Sequence, residues 1–337
     1  AGFLSVRRGA GAFRYENPDE IGKTAGSRKG ASSFWKKESK HGGKLRNGRR
    51  TGMFQYGGNS GGRRLLFADY RQGRRGDGLM AKEGEKTCIR LGTRGSKLAL
   101  AQTRMVADAI RNVCPEAEVE LVTLVTKGDR IQGKALVEFG GKGAFVEEFE
   151  QAILDGTIDL AVHSAKDMPV ELSPGLTIGA VLPRGDARDV LVTVKDRKLP
   201  DGPVIVGTGS PRRQLQIRDW MKAHWDKESA CRLLRGNVNT RLGKLWNGEY
   251  DAIVLAAAGL FRLSLDSDPR FRFTFLPETE LIPAGGQAII AVESREGDTL
   301  SGILPAINDE PPMQALLAER LVLKRFGAGC NEAIAVY

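Results

Sequence analysis

The 337-residue sequence is poor in the residue types on which several classes of function depend. Only three histidines are present, which argues against a multi-histidine metal centre. The four cysteines are far apart and form no Cys-x-x-Cys pair, so the sequence indicates neither a zinc site nor a disulfide framework. No apolar run approaches the ~20 residues that span a bilayer. We therefore predict no metal site and no membrane segment.

The excess of basic over acidic residues lies at one end of the chain. The formal net charge of +10 would favour a polyanionic partner such as nucleic acid. Residues 1–86, however, hold 20 Lys and Arg against 8 Asp and Glu, whereas the rest of the chain holds 31 basic against 33 acidic residues. The later part is close to neutral and lacks an aromatic platform on which bases could stack. A nucleic-acid binder is therefore the weakest of the hypotheses considered, and we predict no such partner.

The basic segment, residues 1–86, also holds 18 of the 42 glycines and has no helical or strand periodicity. A segment of this composition cannot bury enough apolar surface to offset its ordering entropy, so we predict a disordered leader. Richness in Arg, Ser and Gly with few acids is typical of an organellar transit peptide. We predict import into a plastid, with a mitochondrial or cytoplasmic location and an untargeted basic tail as alternatives.

After residue 86 the sequence alternates strand and helix patterns. Helices are predicted from residue 96, over 144–154, from 210, from 238 and over 313–326. Strands are predicted at 88–92, 119–126, 158–163, 190–194, 204–207, 232–234, 252–256 and 287–292. This repetition predicts an α/β protein with two lobes, each a mainly parallel sheet flanked by helices. Loops at the strand ends of such lobes face a ligand cleft.

The predicted domain boundaries follow from the same pattern. Residues 1–86 form the leader, and residues 87–183 with 284–304 form the first lobe. Residues 188–279 form the second lobe. The proline-containing stretch at 308–312 opens a third segment, residues 308–337, which we interpret as the start of a small α+β domain.

One predicted helix directly follows a strand. The turn at its start carries Thr208, Ser210, Arg212 and Arg213. Ser210 is placed to cap that helix, with a proline directly after it. Backbone amides at a helix N-terminus and guanidinium groups both suit carboxylate or phosphate, so this turn is a candidate anion site. The alternative is an ordinary capped helix on the surface.

Two further turns repeat this arrangement. One runs from Arg235 and Gly236 to Arg241, and the other contains Arg94 and Ser96. Because a single carboxylate needs at most one arginine clamp, three such turns predict a ligand with several negative charges.

The predicted strand at 158–163 ends in a polar turn that carries Lys166 and Asp167 into the cleft. Asp167 is either a simple turn residue or a carboxylate that stabilises positive charge on a substrate. An ion pair at ~4 Å contributes about 4 kcal/mol at an effective dielectric near 20. We interpret His163 as a hydrogen-bonded core residue, the glycine-rich run around Lys142 as a lid, and Cys330, considered alone, as a buried apolar side chain.

Six motifs, in order, closely resemble the porphobilinogen deaminase family. They are residues 93–96, 140–143, 163–169, 207–214, 234–241 and 329–330, and the likeness runs from about Ile89 to the last residue. The resemblance implies two lobes like those of type II periplasmic binding proteins. It also implies a monomeric transferase of porphyrin and heme biosynthesis that joins four porphobilinogens into hydroxymethylbilane and releases ammonia.

The resemblance further implies a dipyrromethane cofactor attached covalently through Cys330, and catalysis by Asp167, which would stabilise the cation left after ammonia departs. Implied cofactor contacts are Ser164, Lys166, Thr208, Ser210, Arg212, Arg213, Arg235 and Gly236. Implied substrate contacts are Arg94, Ser96, Phe145, Arg235 and Arg241, with Lys142 in the lid.

Some positions depart from the family pattern. Gly285 and Ala288 alter a motif that usually reads Pro-Ala-Val-Gly-Gln-Gly, and the chain stops seven residues after Cys330, where the family continues through most of a third domain. The sequence is therefore interpreted as truncated within that domain. Two alternatives follow: an inactive fragment of the enzyme, or a non-catalytic two-lobed binder of a multiply carboxylated ligand, which would need neither Asp167 nor Cys330.

Overall fold

A computed structural model describes residues 5–6, 88–125, 146–327 and 333–337. Most of the predicted leader, together with Lys142, Phe145 and Cys330, lies outside the described residues. The strands are β1 (Ser5–Val6), β2 (Cys88–Arg94), β3 (Glu118–Leu124), β4 (Leu160–Ser164), β5 (Leu176–Val181), β6 (Asp189–Val194), β7 (Val204–Gly207), β8 (Ser229–Arg232), β9 (Ala252–Ala256), β10 (Phe271–Leu276), β11 (Ile290–Arg295) and β12 (Ala335–Val336). The α-helices are α1 (Lys97–Val113), α2 (Glu147–Leu154), α3 (Pro211–Trp225), α4 (Val238–Trp246), α5 (Ala257–Arg262), α6 (Ile303–Ile307) and α7 (Glu310–Arg325).

Ten of these strands form two five-stranded sheets, and β1 pairs separately with β12. The first sheet has the order β3-β2-β4-β11-β5 and the second β10-β6-β9-β7-β8. The predicted two-lobed α/β class is confirmed. Each sheet is mainly parallel, as predicted, because four of its five strands run in the same direction. One strand enters each sheet from the other lobe, β11 in the first and β6 in the second, and it runs opposite to both neighbours.

Helices cover both faces of each sheet. In the first lobe α1 and α6 pack on one face, through Ile110 and Leu304, and α2 packs on the other through Phe149. In the second lobe Leu245 of α4 and Met221 of α3 lie on opposite faces. Because both faces are covered, all six residues of β6 are buried. The interior therefore holds the strand ends in fixed positions.

The bounds of several predicted strands differ from the structure, and two of these strands begin three residues away from their predicted start. The strand predicted at 232–234 lies at Ser229–Arg232, and buried Leu234 packs in the core after the strand has ended. The strand predicted at 287–292 begins at Ile290. The reason is a turn at 286–289, in which Gly286 and Ala288 both have φ of +71° and Ile289 N donates to Gly286 O. Hydrophobic content alone did not reveal these turns.

Two segments connect the lobes, residues 182–188 between β5 and β6 and residues 277–289 between β10 and β11. We call them the crossovers. They are hydrogen-bonded to each other, because Gly185 N donates to Ala288 O and Arg184 Nε donates to Gln287 O. Glu319 of α7 joins both, accepting from Arg184 Nη1 at 2.6 Å and from Gly286 N at 2.6 Å. The third segment is thus fixed to the junction of the two lobes.

Candidate active site

The turn that follows β4 carries the predicted catalytic carboxylate. Ala165–Asp167 form one turn of 3-10 helix, closed by Met168 N donating to Ala165 O at 3.2 Å. The turn is attached to the second crossover, since Ala165 N donates to Ile289 O at 3.0 Å. Asp167 is exposed at the mouth of a pocket. The pocket is lined by Arg94, Ser96, Leu98, Ala99, Gln102, Val146, Val162, His163, Ser164 and Asp167.

Ser164 and Gln102 are hydrogen-bonded to each other in this pocket. Gln102 Nε2 donates to Ser164 Oγ at 2.9 Å, and only 4% of the Gln102 surface is exposed. Sequence reasoning predicted Ser164 but missed Gln102. A glutamine on the buried face of α1 was the available signal.

Lys166 reaches Gln287 of the second crossover, at the junction of the lobes. Its Nζ lies 3.4 Å from Gln287 Oε1. Burial lowers the pKa of Lys166 to about 8, against the opposing effect of the adjacent Asp167 carboxylate. The ammonium group is therefore less strongly held in its charged form than that of an ordinary lysine.

The α1 turn supplies Arg94 and Ser96 on the same side as Asp167. Ser96 caps α1, because its Oγ accepts from Ala99 N at 3.2 Å. Thr93 is fully buried, and its Oγ1 accepts from Thr103 Oγ1 at 2.7 Å. This bond fixes the α1 turn, residues 93–96, to the helix that follows it. The two predicted substrate contacts of this turn lie together at the pocket.

The α3 turn, residues 207–213, has the cap that the sequence predicts. Ser210 Oγ accepts from Arg213 N, and buried Thr208 accepts from Ser210 N at 3.2 Å. Arg212 and Arg213 are 3% and 7% exposed and point inward.

Asp189, at the start of β6, holds both arginines. Arg212 Nη2 lies 2.7 Å from Asp189 Oδ2, and Arg213 Nη2 lies 2.7 Å from Asp189 Oδ1. Burial alone would raise the pKa of Asp189, but the two guanidinium groups outweigh it and hold the pKa well below its usual range. This pairing shapes the turn, and the cofactor contacts that the resemblance implies for Arg212 and Arg213 stay a prediction.

The α4 turn, residues 235–241, keeps its arginines at the cleft. Asn237 caps α4 by accepting from Thr240 N at 2.9 Å, and Arg241 Nε donates to Gly236 O at 2.7 Å. Gly236 has φ of +112°, and an added Cβ would lie 2.8 Å from Thr240 Cγ2, so glycine is required there. Within the described part of the chain, Arg235 Nε is buried without a hydrogen-bond acceptor.

Charges from both lobes act on Arg241. Burial, together with the charges of Arg213 and Arg235, lowers its pKa to about 10 against the opposing effect of Asp167. Arg262, at the end of α5, is similar: burial lowers its pKa to about 10, and Nη2 donates to Ala288 O at 2.6 Å. Sequence reasoning missed Arg262, whose signal was an arginine on the helix that directly follows β9.

His163 has the environment of a core residue, as interpreted from the sequence. Its Nε2 lies 3.0 Å from a carboxylate oxygen of fully buried Glu293, and its ring packs edge-on against Phe149. Among the residues that the structure describes, no group of three or more His, Cys, Asp or Glu side chains could hold a metal ion. No helix in the same residues is long and apolar enough to cross a membrane.

Comparisons with known proteins cover most of this chain. The family described as "Porphobilinogen deaminase, dipyromethane cofactor binding domain" matches residues 89–301. A porphobilinogen deaminase of Brevibacillus brevis is 45% identical over 254 residues, 74% of this chain and 79% of that protein. The enzyme of the same name from Streptococcus sanguinis is 43% identical over 256 residues, 74% of this chain and 81% of that protein. Among solved structures, the BvgS periplasmic VFT2 domain of Bordetella pertussis matches with TM-score 0.36 and 16% identity, over 71% of this chain and 92% of that one.

Proposed function

Because this chain belongs to the porphobilinogen deaminase family and is a transferase that acts as a hydroxymethylbilane synthase, we propose roles for the residues of its cleft. The reaction joins porphobilinogen units head to tail and releases one ammonia per unit. Positive charge develops on the substrate when ammonia leaves, and every unit brings two carboxylates. The cleft must therefore stabilise one cation while it binds many anions.

Asp167 is the residue that we assign to the cation. It lies on a turn bonded to the second crossover, and its charge acts on Lys166 beside it and on Arg241 of the other lobe. A carboxylate held in place among cations stabilises developing positive charge without having to reorganise. This meeting of one carboxylate with cations of both lobes is the observation that carries the proposal.

The cations bind substrate carboxylates in this proposal. Arg94 and Ser96 lie with Asp167 at the pocket, and Arg241 faces them from the α4 turn. Arginine forks match carboxylate geometry, and the repulsion of Arg241 by Arg213 and Arg235 is relieved when an anion binds. We add Arg262 to the same set, since it is a half-buried arginine bonded to the crossover.

Several residues fit the dipyrromethane cofactor of the matched family. The buried Nε of Arg235 needs an acceptor, which a cofactor carboxylate supplies. Thr208, Ser210, Gly236, Lys166 and Ser164 would complete that site, with Cys330 as the point of covalent attachment. When bound, the cofactor serves as the primer to which substrate units are added.

Replacing the catalytic carboxylate tests this proposal directly. Asp167→Asn keeps the size of the side chain and removes its charge, so turnover should fall by about 10²–10³-fold while porphobilinogen still binds. Turnover would be measured as ammonia release in single-turnover experiments, with Asp186→Asn as a control acid paired to Arg188. Full turnover by Asp167→Asn would instead favour a non-catalytic role for this carboxylate.

Covalent attachment is tested by intact mass. The purified chain should carry an increment equal to two linked pyrrole units, and a Cys330→Ser variant should lack it. Cys231→Ser is the matched control and should retain the increment. An unmodified mass in the wild-type chain would favour an inactive fragment or a simple binder of carboxylated ligands.

We also propose a plastid location, a monomeric state and the domain boundaries given above. The composition of residues 1–86 supports the first proposal. A fluorescent protein fused after residues 1–86 should enter plastids, and a fusion that stays in the cytoplasm would contradict it. Light scattering of the purified chain should give the mass of one copy.

A further inference from the structure

Gln287 lies between the two lobes and is fully buried. Its Nε2 donates to Ala187 O at 2.7 Å and to Asp189 Oδ1 at 2.9 Å. Both of these atoms are acceptors only, so the amide must direct its Nε2 toward them. The Oε1 atom is thereby turned toward Lys166 Nζ, at 3.4 Å. One side chain thus touches the carboxylate that holds the α3 turn and the ammonium beside Asp167.

The backbone around Gln287 is fixed against the catalytic turn. Gly286 has φ of +71°, and a Cβ added there would lie 3.0 Å from Ala165 C and from Lys166 N. Ala165 N donates to Ile289 O, which closes the contact on the other side. The loop that carries Gln287 therefore packs directly on the backbone of residues 165–166.

We propose that Gln287 is a positioning residue that couples the lobes, holding the Lys166 ammonium beside Asp167 and anchoring it to the Asp189 pair of the α3 turn. This inference rests on the proposed roles of Lys166 and Asp167. The charged groups that face Lys166 are Asp167 and Asp189, which favour its ammonium form, and Arg212 and Arg213, which oppose it. Gln287 is an uncharged contact that directs the ammonium among these four.

Protonation of Lys166 is the quantity that tests this coupling. Only the neutral amine reacts with trace acetic anhydride, so the acetylated fraction of Lys166 against pH, read by peptide mass spectrometry, gives its titration midpoint. The wild-type midpoint should lie near pH 8. Gln287→Met removes the oxygen that accepts from the ammonium, so the midpoint should fall by about one pH unit.

Gln287→Glu should move the midpoint the other way. It places a carboxylate oxygen at the same distance from Lys166, which favours the ammonium form and should raise the midpoint by at least one pH unit. Gln287→Asn keeps the amide but shortens it, so its Oδ1 withdraws from Lys166 and the midpoint should fall less than in the methionine variant. The asparagine variant also provides a test if the methionine variant does not fold.

Gln216 is the matched control. It is a nearly buried glutamine on α3 that donates to Ile282 O and accepts from Ile282 N on the same crossover. Gln216→Met should destabilise the fold by a similar amount and leave the Lys166 midpoint unchanged. The proposal is overturned if the Gln287 variants leave the midpoint unchanged, or if all of them and Gln216→Met shift it in the same direction.

Labelling separates this inference from the proposed function, because it reports protonation whether or not the chain turns over. Where turnover is measurable, the fall of kcat/KM at high pH should follow the labelling midpoint in each variant. Full turnover by Asp167→Asn together with opposite shifts in Gln287→Met and Gln287→Glu would overturn the catalytic assignment and leave the coupling intact.

Discussion

The α3 turn and the α4 turn share a sequence pattern but differ in how the charges of their arginines are balanced. Each follows a strand, each has a capped helix start, and each holds two arginines. In the α3 turn both arginines pair with one buried carboxylate, Asp189. In the α4 turn, Arg235 and Arg241 share no such acid among the described residues, and Arg235 repels Arg241.

The difference shows that an arginine-rich helix start is not by itself a ligand site. A buried acid elsewhere in the fold converts one such turn into a fixed internal structure, because paired charges can be buried where single charges cannot. The turn without that acid keeps its charge available for a ligand. Four variants test this distinction.

Removing the shared acid should have the largest effect. Asp189→Asn leaves two buried guanidinium groups without their counter-ion, and loss of one partner of a buried pair costs about 3–5 kcal/mol of unfolding free energy. Urea unfolding followed by circular dichroism measures this change. Asp251→Asn is a milder control, since that carboxylate accepts a single backbone bond from Ile205. A loss below about 1 kcal/mol would mean that the pair contributes little to the fold.

The same pair predicts how stability depends on pH. The folded pKa of Asp189 lies well below its usual range, so its contribution is present above the unfolded pKa of about 3.9 and is lost as pH falls toward the folded value. The stability difference between wild type and Asp189→Asn should thus be constant from neutral pH to about pH 4.5 and shrink below about pH 4. A difference that already shrinks between pH 7 and pH 5 would contradict the lowered pKa.

Replacing arginine by lysine should lower the unfolding free energy more in the α3 turn than in the α4 turn. Arg213 uses Nε, Nη1 and Nη2 to bind Asp189 and Val254 O, and lysine cannot reproduce that fork, so Arg213→Lys should cost about 1–3 kcal/mol. Arg241→Lys loses one bond to Gly236 O and should cost less than about 1 kcal/mol. Both would be measured by urea unfolding, and equal costs would erase the contrast between the turns.

Neutralising the α4 turn should have the smallest effect on the fold. Arg241→Gln removes a charge that Arg213 and Arg235 repel. The unfolding free energy should therefore change by no more than about 0.5 kcal/mol. Its effect should lie in binding: the affinity for porphobilinogen should fall by about tenfold, measured by calorimetry. Unchanged affinity would place this arginine outside the substrate site.

Local signals in the sequence were sufficient for the helix starts and for the strand that ends at the catalytic turn. Ser210 and Asn237 cap helices as their residue types favour, and β4 ends where the polar run begins. The order of motifs was also sufficient for the family. These features depend on neighbours within a few residues.

Features that depend on distant partners were not predictable. Asp189 is 24 residues from Arg213, and nothing near Asp189 in the sequence marks it as a counter-ion. Gln102, Gln287 and Arg262 were missed because each gains its role from a contact with another element. The antiparallel strands were missed for the same reason, since their direction follows from chain connections between the lobes.

The joined crossovers have a mechanical consequence. Two chain segments that are hydrogen-bonded side by side resist sliding past one another, but together they permit rotation about their common line. The joined crossovers thus form the hinge axis between the lobes, and Glu319 of α7 binds both of them. A rotation displaces atoms in proportion to their distance from that axis. Atoms at the rim of the cleft therefore move most, which makes room for a lengthening chain. Asp167, on a turn bonded to the second crossover, moves least.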